Sequence, residues 1–69
     1  IMTVEDLIDT FCDSGLQQFA IYDLDQSKEI YRGTGDELTD ADILYSEIYS
    51  IDCIEKGSDI VTINISTDD

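Results

Sequence analysis

Val4, Leu7, Ile8 and Phe11 recur at helical spacing, and Cys12 and Leu16 extend the stripe. Glu5, Asp6, Asp9 and Asp13 take the positions between them, so the segment predicts an amphipathic helix. Thr3 stands where an N-cap accepts from the first backbone N–H groups, and Asp6 where a capping-box acid reaches back. Met2 and Leu7 have the spacing of a hydrophobic staple, and Ser14-Gly15 supplies the stop. Met2 also reads as the native start, with Ile1 outside the fold.

After Gly15 the period changes to alternation. Gln18 to Tyr22 reads as a strand, with Phe19 and Ile21 on one face and Ala20 and Tyr22 on the other. Asp23 to Lys28 is a polar turn, and Glu29-Ile30-Tyr31-Arg32 resumes the pattern, which makes a hairpin. Gly33-Thr34-Gly35 breaks it. Leu38 to Leu44 form an acidic connection in which Thr39 could cap a single helical turn. Glu47 to Ile54 is again strand-like, with Tyr49, Ile51 and Cys53 on one face and Tyr49 expected to pack on the sheet. Glu55 to Ser58 is a turn, and Asp59 to Ser66 alternates cleanly. The expected fold class is α+β, one domain over residues 2–66 with a frayed tail at 67–69. One N-terminal amphipathic helix packs on a four-stranded, mainly antiparallel sheet, in the order helix, hairpin, acidic loop, hairpin.

Composition sharpens this outline. The 69 residues carry 17 acids against 3 bases, a net charge of −14. Such a chain is repelled by nucleic-acid backbones and anionic lipid, so no direct nucleic-acid or membrane binding is expected. Hydrophobic residues at 42% are nevertheless too many for an acidic disordered chain. No apolar run is long enough for a membrane span or a signal-peptide core, and a cytoplasmic location in a bacterial host is expected. Cys12 and Cys53 sit among apolar neighbours and read as buried free thiols.

The candidate chemistry is thin. There is no histidine, which removes the commonest general base and metal ligand. Asp23-x-Asp25-x-Ser27-x-Glu29 matches the first part of a calcium loop, but Lys28 stands at its sharp-turn glycine and Thr34 at its closing glutamate. A solvated hairpin turn is the default there, with calcium-dependent stabilisation as the test of the alternative. Gly33-Thr34-Gly35 lacks the remaining glycine of a dinucleotide fingerprint. No catalytic residue, cofactor or metal site is expected.

What remains is the surface. Residues 1–27 hold six acids and no base, and residues 33–55 hold seven acids and no base. Twelve of the 17 acids are Asp, which keeps its charge close to the backbone. Fixed carboxylates on a rigid scaffold can imitate phosphates, and Tyr22 and Tyr31, read as facing each other on the first hairpin, could grip Arg or Lys. The candidate partner-binding residues are Asp9, Asp13, Tyr22, Asp23, Asp25, Tyr31, Asp36, Glu37, Asp40 and Asp42, with Glu47 closing the acidic loop. Charge serving solubility alone is the competing reading.

The helix-first layout, the run Ile21-Tyr22-Asp23-Leu24-Asp25 followed by Ile30-Tyr31-Arg32-Gly33, and the strand Ile48-Tyr49-Ser50-Ile51-Asp52 resemble small acidic proteins of phages and mobile elements of Gram-positive bacteria. In size, charge and element order the chain also resembles several anti-CRISPR proteins. That resemblance implies an inhibitor whose acidic surface occupies the nucleic-acid cleft of a CRISPR effector. The expected function is a non-catalytic nucleic-acid mimic bound to a basic protein groove. A small structural or assembly protein acting as a homodimer is the alternative.

Overall fold

A computed structural model describes residues 2–13, 15–52 and 59–66. Its elements are α1 (Val4–Asp9), β1 (Gln18–Asp23), β2 (Lys28–Thr34), α2 (Ala41–Leu44), β3 (Ile48–Asp52) and β4 (Ile60–Ile65). They form one α+β layer pair, a four-stranded sheet in the order β2-β1-β4-β3 with the helices on one face. The β1–β2 and β3–β4 pairs are antiparallel, as their hairpin-like order predicts, whereas the central β1–β4 pair is parallel. The parallel pair arises because the chain leaves the first hairpin at one edge and enters the second pair at the other. The first and last strands then lie side by side, pointing the same way. Sequence alternation carries no trace of that choice.

The capping box forms as expected: the Thr3 side chain accepts from the Asp6 N–H, and the Asp6 carboxylate accepts from the Thr3 N–H at 3.0 Å. The helix is shorter than the apolar stripe. It ends at Asp9, where the Thr10 hydroxyl donates to the Leu7 carbonyl at 2.6 Å, and the Thr10 and Phe11 N–H groups donate to carbonyls three residues back. These bonds close the last turn tightly and turn the chain away. Phe11 still reaches the core, its ring edge-on to Phe19 with centroids 5.0 Å apart. Beyond the helix the stripe fails: Leu16 is exposed, and Cys12 is an exposed thiol, not a buried one. Cys53, the turn at 55–58 and the tail at 67–69 lie outside the described residues.

Strand register puts Phe19 and Ile21 of β1 on the same face as Val61, Ile63 and Ile65 of β4. Phe19, Ile21, Ile63 and Ile65 are fully buried there against Val4, Ile8 and Leu38, which is the burial that holds the domain together. The second helical turn is capped by Asp40, not Thr39, because the Asp40 carboxylate accepts from the Asp42 N–H at 3.0 Å. Tyr49 does not pack on the sheet. It is 73% exposed, since β3 is an edge strand and its register with β4 shifts between Ile48 and Ser50, leaving Tyr49 outside the paired positions. No helix among the described residues is long and apolar enough to cross a membrane.

Candidate protein-binding surface

Tracing the acids through this fold shows which organise caps and turns and which gather at the surface. Asp6 belongs to the first cap and Asp40 to the second. Asp23 ends β1 fully buried, and its carboxylate accepts from the N–H groups of Asp25 and Gln26 and from the Gln26 side-chain amide at 2.8 Å. It organises the first hairpin turn, in which Ser27 takes a positive φ of 53°. The placement corrects one expectation: Asp23 is a buried turn acid and not an exposed contact residue. Its oxygens face the N–H donors of the polar hairpin turn that the sequence predicts there. The neighbouring Asp25 is exposed and accepts from the Ser66 hydroxyl at 2.7 Å. No cluster of metal-ligating side chains occurs among the described residues.

The tyrosines are also redistributed. The register of β1 and β2 shifts between Ile21 and Tyr22, so Tyr31 lies across from Ile21 while Tyr22 lies across from Glu29. Tyr31 therefore faces the core and Tyr22 the opposite face of the sheet, beside the buried Ala20, Thr62 and Asn64; they do not face each other. Tyr31 is half-buried against the core, its hydroxyl donating to the Thr34 carbonyl at 2.6 Å. Burial and, secondarily, the negative charge of Glu37 push its phenol above the usual tyrosine range. Tyr22 is partly exposed between Glu29 and Asn64.

One convergence of acids does form. A Cβ placed on Gly15 would lie 2.7 Å from Asp36 Oδ2 and 3.3 Å from Asp13 Oδ1, so the two carboxylate oxygens stand no more than about 6 Å apart. They arrive from different connections, Asp13 after α1 and Asp36 after β2. Glu37 follows at once, its carboxylate held by the Thr34 hydroxyl at 2.8 Å. Asp13, Asp36 and Glu37 thus gather at the end of the sheet where β1 begins and β2 finishes. Asp25 stands at the opposite end, roughly 17 Å away along a six-residue strand. The ten sequence candidates are consequently not one patch. Asp9 and Asp42 are exposed at the end of α1 and in the first turn of α2.

The described cations are confined to β2. Arg32 meets Glu29 through both Nε and Nη2, the shortest contact being 2.7 Å, and this holds the Glu29 carboxyl below its ordinary range. Lys28 stands at the hairpin turn.

A second feature escaped the sequence reading. Glu47, Ile48, Tyr49 and Ser66 line an open cavity of about 270 Å³ at the start of β3. Its only advance sign was Tyr49 in a strand, and that sign was misleading, because exposure there depends on β3 being an edge. Searches of protein-family models, curated proteins and solved structures find no match to this chain.

Proposed function

We propose that the protein is a non-catalytic binder that presents carboxylates to the basic groove of a nucleic-acid-binding protein, with an RNA-guided CRISPR effector the first partner to test. The observation that carries this reading is the approach of Asp13 and Asp36 around Gly15, with Glu37 adjacent. Like charges brought together from separate connections repel, and a cationic groove that sits against them removes that cost. With 17 acids against 3 bases, and Arg32 already paired with Glu29, the surface carries a net negative field that a basic groove can sense before contact. Tyr22, partly exposed on the face away from the helices, offers an aromatic neighbour for Arg or Lys.

The test is binding to a purified effector, with and without guide RNA, at low and high salt. Asp13→Asn, Asp36→Asn and Glu37→Gln combined are expected to weaken binding at least tenfold, and salt to weaken the unaltered protein similarly. Absence of binding, or binding indifferent to both salt and the triple substitution, overturns the proposal.

A further inference from the structure

The open edge of β3 is a distinct feature of the molecule. The strand is terminal in the sheet, paired on one side only with β4, and every residue from Tyr49 to Asp52 is exposed. The same edge already accepts added backbone a little upstream. Met2 and Thr3 lie antiparallel beside it, with the Val4 N–H donating to the Ser46 carbonyl at 3.0 Å and the Ile48 N–H to the Met2 carbonyl at 2.9 Å. Among the described residues that short pairing reaches Ile48. Among the described residues no backbone lies beyond Tyr49–Asp52 on the outer side.

Exposed edges are normally blunted, since alternate N–H and C=O groups along them template the addition of another strand. Basic side chains are one common guard, and β2, the other edge, carries Lys28 and Arg32. On β3 the charged side chains are acidic: Glu47 leads into the strand and Asp52 ends it. Between them Tyr49 and Ile51 are 73% and 47% exposed, two of the most open large hydrophobic residues described. At the start of the edge lies the cavity of about 270 Å³ lined by Glu47, Ile48, Tyr49 and Ser66. It falls below the range of drug-sized ligand pockets and suits a single side chain. The Glu47 carboxylate and the Tyr49 ring are the groups that hold a cation, and Asp25 stands behind Ser66, hydrogen-bonded to its hydroxyl.

We infer that β3 accepts a basic extended segment of a partner protein, which adds as a fifth strand beside Tyr49–Asp52 and places a Lys or Arg in the cavity beside Glu47 and Tyr49. The inference rests on the preceding reading for the sign of the partner's charge and adds to it the mode of attachment. A second copy of this chain is disfavoured as occupant: an antiparallel β3–β3 pair would set Glu47 against Asp52 across the join, between molecules that each carry −14.

The probe is an eight-residue peptide alternating lysine and valine, compared with the same peptide N-methylated at alternate residues so that its charge persists and one hydrogen-bonding edge is lost. With isotopically labelled protein at about 0.15 M salt, the parent peptide is expected to shift and slow the exchange of the amides of Tyr49 to Asp52. The N-methylated peptide is expected to bind at least tenfold more weakly, and Tyr49→Ala to weaken the parent about threefold or more. If both peptides bind equally and the shifts gather at Asp13, Asp36 and Glu37, the edge inference fails while the charge-based reading stands. If no cationic peptide binds even at low salt, both fail. Protection of the β3 amides without peptide, together with a dimer in sedimentation, overturns the inference in favour of a second copy.

Discussion

Asp13 and Asp36 close on Gly15 from two sides, their nearest carboxylate oxygens no more than about 6 Å apart. The pair brings the end of the helical segment beside the exit of the first hairpin, and two like charges at that distance are expected to repel.

Relief of that repulsion should be measurable. Asp13→Asn is expected to raise the thermal midpoint by one to a few degrees in dilute buffer, and the gain should fade as salt approaches about 1 M, where the screening length falls to about 3 Å. The unaltered protein, at −14, should itself become more stable over the same titration. A midpoint that ignores salt would remove the basis for treating these acids as a strained cluster.

The capping box supplies a second prediction. Thr3→Ala removes the acceptor for the Asp6 N–H and is expected to cost about 1 kcal/mol, equivalent to a midpoint lowered by about 4–8 °C in a domain this small. Thr3→Ser should restore most of it. Chemical denaturation of the three proteins measures the differences.

Acid dependence follows from the same contact. Hydrogen bonds from the Thr3 backbone, then its side chain, hold the Asp6 carboxyl below the ordinary value, and the Arg32 hydrogen bond does so for Glu29. Carboxyls depressed in the folded state contribute stability that is present above their unfolded values and is lost as pH falls through the folded ones. Asp6→Asn with Glu29→Gln is therefore expected to flatten the acid limb of the stability profile below about pH 4.5 and to leave its shape at neutral pH unchanged. The phenol of Tyr31 has the opposite sense: raised in the fold, it makes stability fall as pH rises past its unfolded value near 10.

Tyr31 and Gly33 should prove coupled. A Cβ on Gly33 would sit 2.8 Å from the Tyr31 hydroxyl oxygen, which is committed to the Thr34 carbonyl. Gly33→Ala is expected to cost about 1–3 kcal/mol, and less in a Tyr31→Phe background where the clashing oxygen is absent. Equal costs in both backgrounds would show that the close approach is not what the glycine serves.

Asp23 offers a fifth test, of structure against surface. Asp23→Ala leaves the Asp25 and Gln26 N–H groups without their buried acceptor and is expected to destabilise by about 1–3 kcal/mol, with Asp23→Asn milder. Millimolar calcium is expected to stabilise the unaltered protein no more than magnesium does, because the inner oxygens of the turn already accept from N–H donors.

Much of the local structure was legible in the chain. The capping box of Thr3 and Asp6, the alternation of Phe19 and Ile21 against Ala20 and Tyr22, and the alternation from Asp59 to Ser66 depend on neighbours within a few positions. Helix and strand periods record such relations directly. The features on which the proposed binding role rests are of another kind. Whether Tyr49 is buried depends on β3 lying at an edge, and that follows from strand order, which alternation does not encode. The separation of Tyr31 from Tyr22 depends on one register shift, and the burial of Asp23 on the turn that folds back over it. The meeting of Asp13 with Asp36 joins residues 23 positions apart. The sequence by itself determined the order of the elements, the alternation within the central strands and the sign of the surface charge, because these follow from local periods and composition. Only the tertiary structure decided which acids stand together, which are spent on caps and turns, and which edge stays open, because each of those depends on contacts between segments far apart in the chain.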